Sequence, residues 1–182
     1  MSVAPTPIAE VLVLEPEVRG DERGFFVETW NARTFASAAG LERSFVQDNH
    51  SRSARMVLRG IHYQIEQAQG KLLRVVSGRV FDVAVDLRRS SPTFGRWVGV
   101  ELTATNHRQL WVPEGFGHGF VVLSESADLL YKTTDYYAPE HERTLAWDDP
   151  DVGIDWPLEG GQPILSAKDR AGHLLASADL FP

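Results

Sequence analysis

Residues 71–88 read KLLRVVSGRVFDVAVDLR and give the clearest indication of architecture in the chain. Ser77-Gly78 marks a hairpin turn between two β-like runs. Beyond the turn, large apolar side chains occupy every second position from 81 to 87, which is the two-residue period of a half-buried strand. The positions between them hold Asp82, Ala84 and Asp86. The stretch therefore predicts a β-hairpin with one face in a core.

Short β-like runs continue on both sides of this hairpin, separated by Gly, Pro, Asn and Ser. They are VLVL (11–14), FFVETW (25–30), SFVQDNHS (44–51), VLRGIHYQ (57–64), WVGVEL (97–102), QLWVP (109–113), GFVVLS (119–124) and ADLLYKTTDYY (127–137). Many strands without a strand–helix alternation predict an all-β sandwich or barrel. One helix is expected at 31–39, capped by Asn31 and ended by Gly40, and a weaker helix candidate lies near 166–177. The tail from 139 onward is expected to wrap the barrel as ordered loops.

Composition narrows the class of protein. The 182 residues fit one domain over 1–182, and 43% hydrophobic and 24% charged residues are ordinary for a globular protein. No cysteine is present, which excludes disulfides and thiolate metal sites. No apolar run approaches a membrane span and no signal-peptide pattern is seen, so a cytoplasmic protein without membrane partners is expected. The net charge of −7 argues against non-specific nucleic-acid binding.

Polar residues interrupt the strand pattern at two neighbouring places. The run 47–52 is polar on both faces, which fits either an exposed edge strand or a strand that lines a wet, ligand-holding cavity. The next strand carries Arg59, Gly60 and His62, and the glycine would allow another group to approach closely. Lys71 begins the strand after that. Cationic groups on adjacent strands predict a polar, cationic barrel interior.

The segment WVPEGFGHGF (111–120) contains the spacing Pro113-x-Gly115-x-x-His118, which resembles the second motif of the cupin superfamily. In metal-binding cupins a first motif supplies two further histidines and a glutamate. This chain offers only His62 there, so an alternative site of His62, Glu66 and His118 would be a two-histidine, one-carboxylate set.

Taken together, these segments closely resemble the dTDP-4-dehydrorhamnose 3,5-epimerase family over nearly the whole chain. The matching segments are GDERGFFVETW (20–30), FVQDNHS (45–51), LRGIHYQ (58–64), QGKLLRVVSGRVFDVAVDLR (69–88), SPTFGRWVGVEL (91–102), QLWVPEGFGHGFVVLSE (109–125), YKTTDYYAPEHE (131–142) and SAKD (166–169). The resemblance implies a cupin-like jelly-roll barrel with a few short peripheral helices. It also implies a homodimer without cofactor or metal that converts dTDP-4-dehydro-6-deoxy-D-glucose to dTDP-4-dehydro-L-rhamnose.

The same resemblance implies roles for individual residues. His62 would be the general base supported by Asp169, Tyr131 the general acid, and Lys71 the cation that stabilises an enolate oxygen. The positions that match nucleotide and sugar contacts are Arg23, Phe26, Glu28, Gln47, Asn49, Arg59, His118, Tyr137, Glu142 and Lys168. Exchange of N-terminal strands between two subunits would bring Arg23, Phe26 and Glu28 to the neighbour's site.

These residue types suit the chemistry. Histidine has a pKa near neutrality and can remove a proton beside a ketone, while a buried ammonium stabilises the enolate that forms. Inversion needs a proton from the opposite face, which Tyr131 would supply, with Lys132 or the field of the cavity helping to reload it.

One departure from the family bears on the products. Between His62 and Lys71 the family often carries a proline-containing loop, whereas residues 63–70 here read YQIEQAQG. This loop is expected near the sugar, so the resemblance leaves open whether both C3 and C5 are inverted, and a monofunctional epimerase or ketoisomerase on a related nucleotide sugar is the first alternative. Two alternatives of other classes are a metal-dependent cupin enzyme and a non-catalytic sugar-binding protein.

Overall fold

The computed structural model describes residues 1–182, and antiparallel strands dominate it. Thirteen strands are present: β1 (Ser2–Ala4), β2 (Leu12–Glu15), β3 (Val18–Asp21), β4 (Gly24–Val27), β5 (Gln47–Ala54), β6 (Leu58–Gln64), β7 (Lys71–Ser77), β8 (Arg79–Asp86), β9 (Trp97–Thr103), β10 (Gln109–Val112), β11 (Phe116–Val122), β12 (Ser126–Thr133) and β13 (Glu142–Thr144). Two helices, α1 (Ala32–Ala39) and α2 (Ala167–Arg170), lie outside the sheets. The prediction of an all-β fold with a few short helices is confirmed.

The strands form two main sheets. One has the order β1-β2-β10-β7-β12-β5, and the other has the order β13-β6-β11-β8-β9. A buried apolar cluster takes side chains from β2, β7 and β12 on one side and from β8, β9 and β11 on the other, so the two sheets face each other across the core. The sheets form a flattened barrel that hydrogen bonds do not close.

The hairpin predicted at Ser77-Gly78 is present, but its second strand differs from the prediction. We expected β8 to be half-buried, with Asp82 and Asp86 on the polar face, whereas both of its faces are buried and both carboxylates are fully inaccessible. The reason is that the C-terminal segment covers the outer face. Val152, Trp156 and Leu175 pack there against the apolar residues of β8 and β6. The tail after 139 thus wraps the sheet as predicted.

The other sheet is covered on its outer face by α1. Phe35 of this helix packs on Leu14, Leu72 and Trp111. The helix has the predicted bounds, because the Asn31 side chain accepts hydrogen bonds from the first turn and Gly40 adopts the left-handed conformation with φ of 69°. The helix expected at 166–177 is wrong in extent, since it stops at Arg170.

The strands β3 and β4 form a separate two-stranded hairpin that packs little against the rest of the chain. Phe25 and Phe26 at its end are 64% and 71% exposed. Neither helix of the protein is long and apolar enough to cross a bilayer.

Candidate active site

A cavity of about 360 Å³ lies between the two sheets at one end of the barrel. Twelve residues line it, and ten of them were predicted from the sequence: Gln47, Asn49, Arg59, His62, Lys71, His118, Tyr131, Tyr137, Glu142 and Lys168. Ser51, which belongs to the polar run 47–52, and Phe120, which was not predicted, complete the lining. Of the remaining predicted residues, Asp169 lies directly behind His62.

A bulge in β6 explains how Arg59 and His62 both reach the cavity although they are three residues apart. Arg59 pairs with Phe120 and His62 pairs with His118, so two residues of β6 stand opposite the single residue Gly119 of β11. A bulge of this kind turns side chains and is frequent beside active sites. The close approach expected at Gly60 is present, since a Cβ there would lie 2.5 Å from the Gly119 Cα.

His62 and Asp169 form a hydrogen-bonded dyad across the cavity wall. The His62 Nε2 lies 2.7 Å from Asp169 Oδ1, and the His62 side chain is 23% exposed, against 3% for Asp169. An ionised carboxylate can only accept, so Nε2 carries the proton and Nδ1 has the free lone pair. Burial lowers the pKa of His62 below its ordinary value although the bond to Asp169 opposes this, so the ring is neutral at pH 7.

The Asp169 carboxylate is fixed by α2 and by the backbone of β6. Ser166 caps α2 and donates its hydroxyl to Asp169 Oδ2 at 2.6 Å, while the Gly60 N–H donates to Oδ1 at 3.1 Å. Asp169 also accepts from the Ser166 N–H at 3.3 Å, which completes a capping box. Burial alone would raise the pKa of Asp169, but the bonds from His62, Ser166 and Gly60 outweigh it and hold the pKa well below its usual range.

Lys71 stands inside the cavity with few partners. Its side chain is buried, and its Nζ makes one long contact, 3.4 Å to the His62 carbonyl oxygen. Burial lowers the pKa of Lys71 to about 8. We expected the cationic residues on adjacent strands, and this is wrong, because β6 and β7 belong to opposite sheets and face each other across the cavity.

Tyr131 enters the cavity from β12, in the sheet opposite to the one that carries His62. Burial raises the pKa of Tyr131, and the nearby charge of Arg59 opposes this only in part, so the phenol keeps its proton at neutral pH. Lys132, expected to help Tyr131 reload, points to the other face of the sheet. Its Nζ is bound there by both carboxylate oxygens of Asp48, at 2.9 and 3.0 Å.

The polar run of β5 satisfies both interpretations of the sequence. β5 is an edge strand of its sheet, and Gln47, Asn49 and Ser51 line the cavity. The alternate residues face outward, where His50 and Arg52 both bind Asp128.

Three residues form a polar cluster at the cavity mouth. Glu142 accepts from Lys168 Nζ at 2.8 Å and from the Tyr137 hydroxyl at 3.0 Å. Burial would raise the pKa of Glu142, but the contact with Lys168 outweighs it and the pKa is lowered. Tyr137 is 52% exposed and presents an aromatic ring at the entrance.

His118 lies beside His62 in the cavity wall and has its own carboxylate partner. Its Nε2 is 2.9 Å from Oδ1 of Asp82, a residue that we had assigned to the polar face of a strand and not to the site. The only signal in the sequence for this pair was an aspartate in the middle of a strongly apolar strand.

The predicted residues Arg23, Phe26 and Glu28 lie outside this cavity. They belong to or follow the exposed hairpin, where Arg23 forms an ion pair with Asp21 and Glu28 accepts from Asn31 and Thr34. Within one chain these three residues are therefore not brought to the site.

The alternative metal set is not assembled. Glu66 is exposed and lies near His141, while His62 and His118 are each bound to an aspartate. No group of three or more His, Asp or Glu side chains has the arrangement of a metal site.

Comparison with known proteins gives a consistent result. Residues 5–177 match the family model described as dTDP-4-dehydrorhamnose 3,5-epimerase. The Pseudomonas aeruginosa protein of that name is 65% identical over 96% of this chain and 96% of its own length, and the Shigella flexneri protein is 56% identical over 100% and 99%. A Legionella pneumophila epimerase, solved in complex with dTDP-4-keto-L-rhamnose, superimposes with a TM-score of 0.95 at 54% identity, covering 98% of this chain and 94% of that one. The cupin-like fold expected from the resemblance is thereby confirmed.

Proposed function

Because this chain belongs to the dTDP-4-dehydrorhamnose 3,5-epimerase family, we propose that it inverts C3 and C5 of dTDP-4-dehydro-6-deoxy-D-glucose to give dTDP-4-dehydro-L-rhamnose. The observation that carries the mechanism is the position of His62 and Tyr131 on opposite sheets, with Lys71 in the same cavity. A sugar ring held between the sheets has a neutral imidazole on one face and a protonated phenol on the other.

Each inversion proceeds in two steps. Nδ1 of His62 takes the proton from the carbon beside the C4 ketone, and the electron pair of the C–H bond forms an enolate whose charge rests on the C4 oxygen. Lys71 stabilises that oxygen, since an ammonium acts strongly where water is excluded. Tyr131 then donates its proton to the opposite face of the same carbon, and the configuration is inverted.

The second inversion requires that both groups be reset. One inversion leaves a proton on His62 and removes one from Tyr131. Because base and acid are different residues, the proton that arrives is not the proton that left. Solvent hydrogen therefore enters each carbon that is inverted.

The substrate's diphosphate requires positive charge in a protein whose net charge is −7. Arg59 and Lys168 provide it at the cavity, and the Tyr137 ring at the mouth offers an aromatic surface for the nucleotide base.

We also infer a homodimer in which the β3–β4 hairpin reaches the partner's cavity. The support is the exposure of Phe25 and Phe26, together with the finding that Arg23 and Glu28 do not line the cavity of their own chain. Mixing inactive Arg23→Ala and His62→Ala subunits should restore activity, because a mixed dimer would contain one cavity with neither substitution. Mixtures that stay inactive after subunit exchange would contradict the hairpin exchange.

Deuterium incorporation tests the reaction. In D₂O, the protein should place deuterium at both C3 and C5 of the dTDP-4-keto-6-deoxy sugar, followed carbon by carbon by NMR. Exchange at a single carbon would identify a monofunctional epimerase, and no exchange would refute the proposal.

A matched pair of variants tests the role of His62. His62→Ala should lose roughly 10²- to 10⁴-fold in activity, the usual contribution of a general base. His50→Ala should not, because that imidazole also binds a buried aspartate but faces the outside of its sheet.

A further inference from the structure

Asp82 is a buried carboxylate that the proposed reaction does not use. It lies in the inward row of β8 between Val80 and Ala84 and has no accessible surface. Its Oδ1 binds His118, but its Oδ2 has no hydrogen-bond partner within the protein, and it is the only buried side-chain nitrogen or oxygen in the chain in that condition. A half-satisfied buried carboxylate is costly to the fold and therefore calls for an explanation.

Asp86, four residues further along the same row, shows what a structural aspartate looks like here. It is equally buried, yet both of its oxygens are bound, by Arg88, Ser91 and Thr93. Its charge is compensated by the Arg88 guanidinium at 2.8 Å. Asp82 has no arginine or lysine in contact, so its charge acts on the cavity.

The first effect of Asp82 is on His118. A carboxylate only accepts, so His118 carries its proton on Nε2 and the ring orientation is fixed. His118 stands directly opposite His62 in the pairing of β11 with β6. Two neighbouring imidazoles are thus held in the same way, each through Nε2 and each by a buried aspartate.

The second effect is on Lys71, whose ammonium is buried with one long contact. Two carboxylates favour its charged form, Glu142 and Asp82, while Lys168 disfavours it. Glu142 is already bound to Lys168 and Tyr137 at the mouth. The other titratable or charged groups that line the cavity are His62, His118, Arg59 and Tyr131, and none of them is an anion at neutral pH.

We propose that Asp82 is a positioning residue that orients His118 and supplies the fixed negative charge that keeps Lys71 protonated inside the cavity. This inference rests on the proposed function, because a charged Lys71 matters only if an enolate forms beside it. Asp82 contacts neither substrate nor reacting atoms and acts through its two neighbours.

The charge of Lys71 can be measured without substrate, because the chain has only three lysines, Lys71, Lys132 and Lys168. Protein labelled in the lysine side chains gives three NMR signals, which single Lys→Arg substitutions assign. Lys71 should titrate near its pKa of about 8 in the unaltered protein. In Asp82→Asn its midpoint should fall by about one pH unit, since a lost opposite charge shifts a buried group by this order. The alkaline limb of kcat/KM should move down by the same amount.

Asp86→Asn and Asp128→Asn are the controls, because both remove a buried carboxylate that is paired with an arginine and binds no residue of the cavity. They should leave the Lys71 midpoint in place whatever they do to stability. Asp82→Ser removes the same charge with a smaller side chain and repeats the test independently of how the amide packs. A Lys71 midpoint that stays at the unaltered value in both Asp82 variants overturns this inference. Failure of the unaltered protein to epimerise the sugar would refute the proposed function instead. The Lys71 titration needs no substrate, so it tests the role of Asp82 separately from the proposed function.

Discussion

Replacing Gly60 by alanine probes the point where β6 and β11 come closest, beside the His62–Asp169 dyad. Gly60 has φ of 120°, and an added Cβ would lie 2.5 Å from the Gly119 Cα and 2.7 Å from the His118 carbonyl oxygen. These neighbours are backbone atoms that cannot rotate away. The backbone conformation costs a non-glycine residue about 1–2 kcal/mol, and overpacking adds about 1–3 kcal/mol.

The free energy of unfolding should therefore fall by about 2–5 kcal/mol in Gly60→Ala. For a chain of this length, each kcal/mol lowers Tm by about 2–4 °C, so calorimetry should record a loss of about 4–20 °C. Activity should fall more than stability explains, because the Gly60 N–H donates to Asp169 at 3.1 Å and the strands must separate to admit the methyl group.

Gly24→Ala isolates the contribution of the close approach. Gly24 has a similar φ of 129°, but no atom lies within 4 Å of an added Cβ, so only the backbone cost remains. Gly40→Ala, equally open and far from the hairpin, gives a second reference. Equal losses of Tm in Gly60→Ala and the two controls would refute the reasoning, because the contact with Gly119 would then have no energetic weight.

Three further expectations concern the dyad and the ammonium. The pH profile of kcat/KM should be bell-shaped. Its acidic limb should lie below 6.5, the ordinary pKa of histidine, because His62 must be neutral, and its alkaline limb should lie near 8 because Lys71 must be charged. An alkaline limb near 10 would contradict the effect of burial on Lys71. Asp169→Asn removes the interactions that raise the pKa of His62, so the acidic limb should move to lower pH. The kcat should fall by roughly 10²- to 10⁴-fold. An acidic limb that does not move would show that Asp169 has no influence on the pKa of His62. Ser166→Ala should lower kcat about tenfold, the equivalent of one hydrogen bond to a charged group, with little effect on KM, whereas Ser177→Ala on an exposed turn should match the unaltered enzyme.

The local structure of the strands could be predicted from the sequence because it depends on neighbouring residues. Ser77-Gly78 gives the turn between β7 and β8, and Asn31 and Gly40 give both ends of α1. The polar inward residues of β5 also revealed a cavity, since a strand that faces an apolar core would not carry them.

What the sequence could not provide depends on distant segments. One face of β8 was expected to be exposed, because the residues of this strand do not indicate that Trp156 and Leu175 cover that face. Asp82 was therefore missed. Similarly, β6 and β7 are joined by a short loop and were expected side by side, whereas that loop crosses from one sheet to the other. Strand β3 was not predicted, because its four residues are all exposed and show no apolar alternation.

The carboxylate behind His62 comes from a segment synthesised long after the strands. His62 and Asp169 are 107 positions apart, and the last strand ends at Thr144. A nascent chain that has left the ribosome only as far as this strand already contains His62, Lys71 and Tyr131, but it lacks the carboxylate that binds His62. The same late segment shields the apolar outer surface of β8 and β6, so burial of that surface and completion of the dyad happen together. A chain that stops at Thr144 would therefore lack the Asp169 carboxylate and leave this apolar surface uncovered at the same time.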